Sequence, residues 1–290
     1  SRNNIKIGVI LQGAETPFMK EVLKGIQEAC AEVDNLGGTV LVHKIEHQNA
    51  EDVILAMEKM RMEEVRGIAM VPLDEERVKR EIDRFVEEFR IPVVTFTSDV
   101  EDTKRLCFVG QNGVQCGRAA AGLMGELTGG KGKVVVISGY STNTSLSSRV
   151  VGFREEIARK YPGIEIIGPE YCFEENGRAR EITEGIFKDV PDLDGIYLTS
   201  HGEEGVCEAI AGAGKAGQVK MVANDFMGRN YELMREGFIH FLIGQDARIQ
   251  GYEPVMILFR LLFNGEAPER AKIFTEIYIR NEYTIPEGRH

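Results

Sequence analysis

The stretch "QGAETPFM", Gln12 to Met19, follows an apolar run and precedes a segment of helical period. A strand, a short loop and a helix with Pro17 in its first turn is the order in which α/β proteins hold phosphates. Yet this loop has one glycine and ends in Thr16, Pro17, Phe18 and Met19. A hydroxyl beside an aromatic face suits a polyhydroxylated ring, whose hydroxyls want in-plane hydrogen bonds and whose C–H face wants an apolar plate. The same mixture recurs in "PLDE", "TSDV", "GYSTNTSLSSR", "YCFEEN", "TSHGEE", "NDFMG" and "GQDAR", each of which follows an apolar run. Phe18, Tyr140, Phe173 and Phe226 are interleaved with their Thr, Ser, Asn, Gln and Asp residues. The chemistry this composition supports is recognition of a sugar or polyol, although loops after strands are polar in any α/β protein.

Other chemistries fit less well. "GAGKAG" (Gly212 to Gly217) has glycines and a lysine, but Ala216 stands where Ser or Thr would hold magnesium, and the cluster follows a helix instead of opening one. "GGKGK" (Gly129 to Lys133) has the same reversed order and reads as a helix stop. The Ser/Thr-rich loop from Gly139 to Arg149 lacks a G-x-S-x-G elbow and a histidine partner. His43 and His47 in "HKIEH" would share a face on a helix, but the run reads as a strand, where residues four apart lie about 13 Å apart. No nucleotide fingerprint, catalytic triad or carboxylate pair can be assembled, so neither an enzyme, a cofactor nor a metal site is expected.

These loops need a scaffold. Apolar, β-branched runs at 5–11, 39–45, 67–71, 92–96, 133–138, 164–168, 194–198, 219–223, 239–243 and 273–279 alternate with segments of helical period. That alternation predicts an α/β fold of parallel strands with helices on both faces, and its length favours two sheets of five or six strands over a single long one. In such sheets ligands gather at the C-terminal ends of strands, where the polar segments lie. A chain of 290 residues, 43% hydrophobic and 28% charged, is long enough for two domains. Its 46 acidic against 35 basic residues, a net charge of −11, disfavour contact with nucleic acid. No apolar run approaches the roughly 18 residues of a membrane span. Five single cysteines (Cys30, Cys107, Cys116, Cys172, Cys207), odd in number, read as reduced thiols of a cytoplasmic protein. The start at Ser1 suggests that something upstream was removed.

The order of "TPFMKEVLKGIQEA", "IPVVTFTSDV", "CFVGQNGVQCGRAAAGLM", "RVVGFREEI", "TSHGEEGVCEAI", "KMVANDF" and "IGQDARIQGYEPVMILF" resembles the type I periplasmic binding fold. It is especially similar to the effector-binding domains of LacI/GalR-family transcription regulators. The resemblance covers essentially residues 5 to 285 and implies two Rossmann-like lobes joined by three crossovers, with a sugar in the interlobe cleft. The lobes are expected at 1–109 with 246–272, and at 110–245 with 273–290. By the resemblance Thr16 and Phe18 meet the ligand from the first loop, Asp225 takes two sugar hydroxyls, Gln245 offers an amide at the third crossover, and Asn112 marks the first crossover hinge. Arg149 stands at an arginine of the family pattern, whether for structure or for ligand. Thr97, Ser98 and Asp99 replace an Asp-Arg pair common in sugar binders, and Ser147 lies where another arginine is expected. Phe173 and Thr199 complete the expected ligand contacts. The absence of two cationic groups points to a neutral sugar or cyclitol, with Asp99 as a shifted substitute for the clamp.

Two functions follow from the resemblance. The first is the effector domain of a cytoplasmic LacI-type regulator: a homodimer that meets DNA through an N-terminal headpiece absent from this chain, ligand shifting lobe closure. The acidic body, the scattered thiols and the non-Met start favour it. The alternative is the periplasmic or lipoprotein sugar-binding component of a transporter.

Overall fold

The computed structural model describes residues 4–288, which form two compact units. Ser1, on which the expectation of a removed upstream segment rests, lies outside the described residues, as do the last two positions of the second expected lobe. The first unit begins with β1 (Lys6–Gln12), α1 (Pro17–Asn35), β2 (Thr39–Ile45), α2 (Ala50–Met62), β3 (Gly67–Met70), α3 (Glu76–Glu87), β4 (Val93–Phe96) and β5 (Cys107–Gln111). The chain passes into the second unit at Asn112. There follow α4 (Gly113–Thr128), β6 (Lys131–Ser138), α5 (Thr144–Lys160), β7 (Gly163–Tyr171), α6 (Asn176–Asp189) and β8 (Gly195–Leu198). Next come α7 (Glu203–Gly212), β9 (Lys220–Asn224), α8 (Asn230–Arg235) and β10 (Phe241–Gly244). At Asp246 the chain returns to the first unit for α9 (Ala247–Asn264) and β11 (Lys272–Thr275), and at Ile277 it re-enters the second for β12 (Tyr278–Arg280). Residues Thr142–Thr144 group with the first unit.

Each unit is built on a six-stranded sheet, in the orders β11-β5-β4-β3-β1-β2 and β12-β10-β9-β8-β6-β7. Every pairing is parallel except β10 with β12. This is the α/β architecture expected from the alternation of apolar runs. Strands β3, β4 and β8 are buried along their whole length, as strands covered by helices on both faces must be. Local chemistry starts the helices at the strand ends. In α1, Thr16 caps the first turn by accepting from the Met19 amide, Pro17 follows it, and Met19, Val22, Ile26, Ala29 and Val33 repeat on one buried stripe.

Two elements differ from the sequence reading. The short β5 was not anticipated as a strand, because Gly110 and Gln111 dilute its apolar run. Residues 273–279, read as one strand of the second lobe, are two: β11 runs parallel to β5, so residues through Glu276 stay in the first unit, and β12 runs antiparallel to β10. Glu276 is exposed and lies between the two pairings, where neither ladder needs it.

Reciprocal glycines set the closest helix contacts. A Cβ on Gly25 (α1) would lie 2.0 Å from the Arg248 carbonyl oxygen, and one on Gly251 (α9) 2.0 Å from that of Val22. The second unit repeats the device, with Gly117 (α4) facing the Arg149 carbonyl and Gly152 (α5) that of Val114, again at 2.0 Å. Backbones meet here because nothing stands between them. Among the described residues no helix is long and apolar enough to cross a membrane.

Candidate functional site

In the first unit the expected ligand residues do gather at strand ends, but their side chains are largely engaged. The Thr16 hydroxyl donates to the Gly13 carbonyl at 2.9 Å and accepts from the Met19 amide at 3.3 Å. Its one donor is used, so it can offer a ligand an acceptor lone pair only. Phe18 is partly exposed in the first turn of α1 and remains available as an apolar plate. Gln12, at the end of β1, is buried and donates to the Val71 carbonyl at 2.7 Å.

The segment Thr97–Asp99 is largely engaged within the first unit. Asp99, expected as a shifted clamp for ligand, accepts both Nε and Nη2 of Arg105 at 2.7 Å, the Thr95 hydroxyl at 2.7 Å and the Val100 amide at 2.8 Å. Only 13% of the Asp99 side chain and 7% of that of Arg105 are accessible, so a charged pair is present but spent on holding the loop after β4. Ser98 is buried and donates to Asn143 at 2.6 Å, while the Asp99 amide donates to the Thr144 hydroxyl at 2.9 Å. Thr97 is buried at φ +61°, its amide given to the Val109 carbonyl. These three residues shape the first unit and present little to a ligand.

The second unit concentrates the chemistry. Asp225 follows β9 at φ +76°, a left-handed conformation uncommon for a residue with a side chain. The Asn230 amide holds this turn by donating to the carbonyls of Asn224 at 3.2 Å and Asp225 at 3.0 Å. The helix that follows is capped by Arg229, so Asp225 does not serve as a helix cap. Its carboxylate instead accepts from Gln245 Nε2 at 3.3 Å, which brings together the residues after β9 and β10. Burial raises the Asp225 pKa to about 6; the charge of Arg149 and the Gln245 hydrogen bond oppose the shift, and the charge of Glu203 adds to it.

Arg149, open between structure and ligand in the sequence, and Thr199, expected to touch ligand, both have their side chains engaged within the second unit. Arg149 is 4% exposed and gives Nη1 to the Thr199 carbonyl at 2.5 Å, so it acts on Asp225 through its charge from beneath the surface. Thr199 is wholly buried and turns its hydroxyl to Ser138 at 2.7 Å. Ser147 lies in the first turn of α5, partly exposed. Phe173 is 46% exposed at φ +54° and packs against Tyr140 at 5.5 Å between ring centroids. Asn112 sits where the chain first passes between units and caps α4 by accepting from the Gln115 amide at 3.1 Å.

Three residues of this site were not singled out from the sequence. His201 Nδ1 lies 3.0 Å from Glu203 Oε2, which also accepts the Gly202 amide. Burial works against the charged imidazolium, but the hydrogen bond and charge of Glu203 outweigh it and raise the His201 pKa. Glu174, at φ +57°, lies over Gly139, where a Cβ would come within 2.7 Å of it; burial first, then the charges of Glu203 and Asp225, raise its pKa. The signal was present in "TSHGEE" and "YCFEEN", which carry charged groups directly after strands. Among the described residues there is no group of three or more His, Cys, Asp or Glu that could hold a metal ion.

Comparison with known proteins changes the functional expectation. The chain is 26% identical over 230 residues to a D-ribose/D-allose-binding protein of Pseudomonas aeruginosa, covering 76% of this chain and 70% of that protein. It is 23% identical over 248 residues to the D-allose-binding periplasmic protein of Escherichia coli, covering 82% and 78%. An ABC transporter solute-binding protein of Agrobacterium vitis, solved with bound D-fucose, superposes with a TM-score of 0.90 at 25% identity over 98% of this chain and 97% of that one. These relatives overturn the expectation of a cytoplasmic LacI-type effector domain, since they are transport and periplasmic binding proteins. The cysteines misled for a physical reason. Cys107, Cys116, Cys172 and Cys207 are buried and burial raises the pKa of each, so they are poor thiolates whatever the redox state outside. The two sheets, the strand-end loops and a match along residues 7–267 agree on one identity: the chain belongs to the periplasmic binding protein domain family.

Proposed function

We propose that this chain is the sugar-binding component of a transporter and works outside the cytoplasm. The observation that carries this reading is the Asp225–Gln245 pair at 3.3 Å, an acceptor-only carboxylate and an amide side by side at neighbouring strand ends. A carboxylate takes two vicinal hydroxyl protons, and an amide can both donate to and accept from a third. Phe173, 46% exposed in the same unit, supplies an apolar face for the C–H side of a ring. The sugar-binding relatives support the same ligand class. Titration calorimetry with D-ribose, D-allose and D-fucose, followed by a wider panel of neutral sugars and cyclitols, is the test. Saturable heat with one of them, and a melting transition raised by about 2.7 kcal/mol at 100 times the dissociation constant, is expected. A panel that produces neither heat nor a thermal shift would remove the reading.

The pH dependence has a definite sign. Between 3.8 and about 6 the folded protein holds a proton on Asp225 that the unfolded chain has released, so this group lowers stability as pH rises through that window. Binding runs the other way, because the hydroxyl protons need the ionised carboxylate. Affinity for the sugar should therefore be flat above pH 7 and fall below about 6, tending toward tenfold per pH unit. Affinity that is level from pH 7 to 5 would take Asp225 out of the contact.

The expected homodimer rested on matching two DNA half-sites, and it loses that motive with the regulator. A transport binding protein delivers its sugar as a single chain. Light scattering at micromolar concentration should give a mass near 32.3 kDa. A mass of twice that value would contradict this expectation.

A further inference from the structure

Phe226, next to Asp225, is held from three sides. Its ring lies over Gly244, where a Cβ would fall 2.1 Å from Cε2, so only glycine lets the ring settle against β10. Tyr231 of α8 stacks on it with centroids 5.9 Å apart and planes 15° from parallel. The guanidinium of Arg280 lies 4.2 Å from its centroid and donates to the Tyr231 hydroxyl. Arg280 stands on β12 opposite Leu242 of β10, with Tyr278 opposite Gly244, so the cation reaches Phe226 from the strand bordering its floor. Planar stacking and a hydrogen bond together fix the ring's tilt, which a lone apolar contact would leave free.

We propose that Arg280 is a positioning residue for sugar binding: by clamping Phe226 between itself, Tyr231 and Gly244, it holds the adjoining Asp225 turn in the left-handed conformation that sets the carboxylate beside Gln245. That turn is strained, and strained turns persist only where their surroundings over-determine them. The Asn230 hydrogen bonds fix the carbonyl side of the turn, and the Phe226 clamp fixes its outgoing side chain. Arg280 has this role without touching the ligand. It also lies three residues beyond Ile277, where the chain enters the second unit for the last time, so the final crossing strand and the ligand loop are tied together.

Two measurements on Arg280→Ala, Arg280→Lys, Phe226→Ala and the Arg280→Ala/Phe226→Ala double variant test this, one with sugar and one without. The sugar arm presupposes the proposed function; the sugar-free arm does not. In hydrogen exchange of the free protein, the Asp225 amide, bonded to the Ile243 carbonyl at 2.7 Å, is the reporter. Arg280→Ala should speed its exchange about tenfold while Val222 and Ala223 in the strand stay protected. Unchanged exchange at Asp225, or an equal increase throughout the second sheet, would overturn the proposal by showing either no effect or a merely global loss of stability. In calorimetry with whichever of D-ribose, D-allose or D-fucose binds, Arg280→Ala should weaken affinity by about fivefold to twentyfold, and Arg280→Lys should recover part of it. The double variant should bind no more weakly than Phe226→Ala alone, because both changes release the same turn. Additive losses would mean that Arg280 acts by another route and would also sink the proposal. Wild-type protein that binds none of the sugars would count against the proposed function, while exchange would still decide the role of Arg280.

Discussion

Asp225→Asn should bind sugar at least tenfold more weakly than the wild type, a loss of about 1.5 to 3 kcal/mol, while melting no lower at pH 7. Asparagine tolerates the left-handed turn at φ +76° nearly as well as aspartate does, so the backbone reason for instability is removed from the comparison. What changes is the charge. The carboxylate accepts hydroxyl protons through both oxygens, whereas the amide keeps one acceptor and presents a donor where the sugar also brings a donor. Stability moves the opposite way because the ionised carboxylate is penalised in the fold, as its pKa of about 6 records. Calorimetric titration and melting curves on both proteins separate the two effects. Equal affinities would leave Phe173 and Gln245 as the residues carrying the sugar hypothesis, whereas a large loss of stability with affinity intact would show that Asp225 serves the turn alone.

Gly117→Ala should destabilise the second unit by about 1 to 3 kcal/mol, even though alanine is the better helix former. The added Cβ would sit 2.0 Å from the Arg149 carbonyl oxygen and 2.8 Å from the Phe153 amide nitrogen, both backbone atoms that can yield only if α4 and α5 move apart. Separation would also shift Arg149, whose guanidinium holds the Thr199 carbonyl beneath the site, so weaker sugar binding should accompany the lower stability. Gly122 on the same helix provides the control. Nothing lies within 4 Å of its absent Cβ, and Gly122→Ala should stabilise by about 0.5 to 1 kcal/mol. Denaturant unfolding of the two variants reads the difference directly; if both are stabilised, propensity and not helix contact governs the position.

The architecture could be read from residue order, and with it the strand ends at which the candidate site loops lie. Runs such as "KVVVIS" are apolar without alternation, which only a strand covered on both faces requires, and repeating them between helical segments leaves few topologies besides parallel sheets. Strand ends in such sheets collect ligands because helix starts and loop side chains converge there, so "NDFMG" and "GQDAR" could be marked as candidate loops without coordinates. The compartment was misread because a thiol's pairing tendency depends on burial, which the spacing of five cysteines does not encode.

Which polar residue in a loop faces outward depended on contacts distant in sequence. Asp99 and Asp225 both follow strands and look alike in isolation. Asp99 is consumed because Arg105, returning from the next turn, reaches it with two hydrogen bonds, whereas Asp225 keeps acceptor capacity because the partner that reaches it, Gln245, is an amide from a neighbouring strand end that gives it one. Arg149 makes the same point from the opposite side. It lies in the second turn of α5, whose period alone would allow it to face either solvent or sheet, but Gly117 lets α4 approach its carbonyl and the Thr199 carbonyl draws its guanidinium inward. Local sequence selects a conformation from a few allowed by short-range sterics and hydrogen bonding. The direction in which a charge finally points is chosen by desolvation and pairing, whose partners are set by the packing of segments that may be 50 residues apart, as Arg149 and Thr199 are.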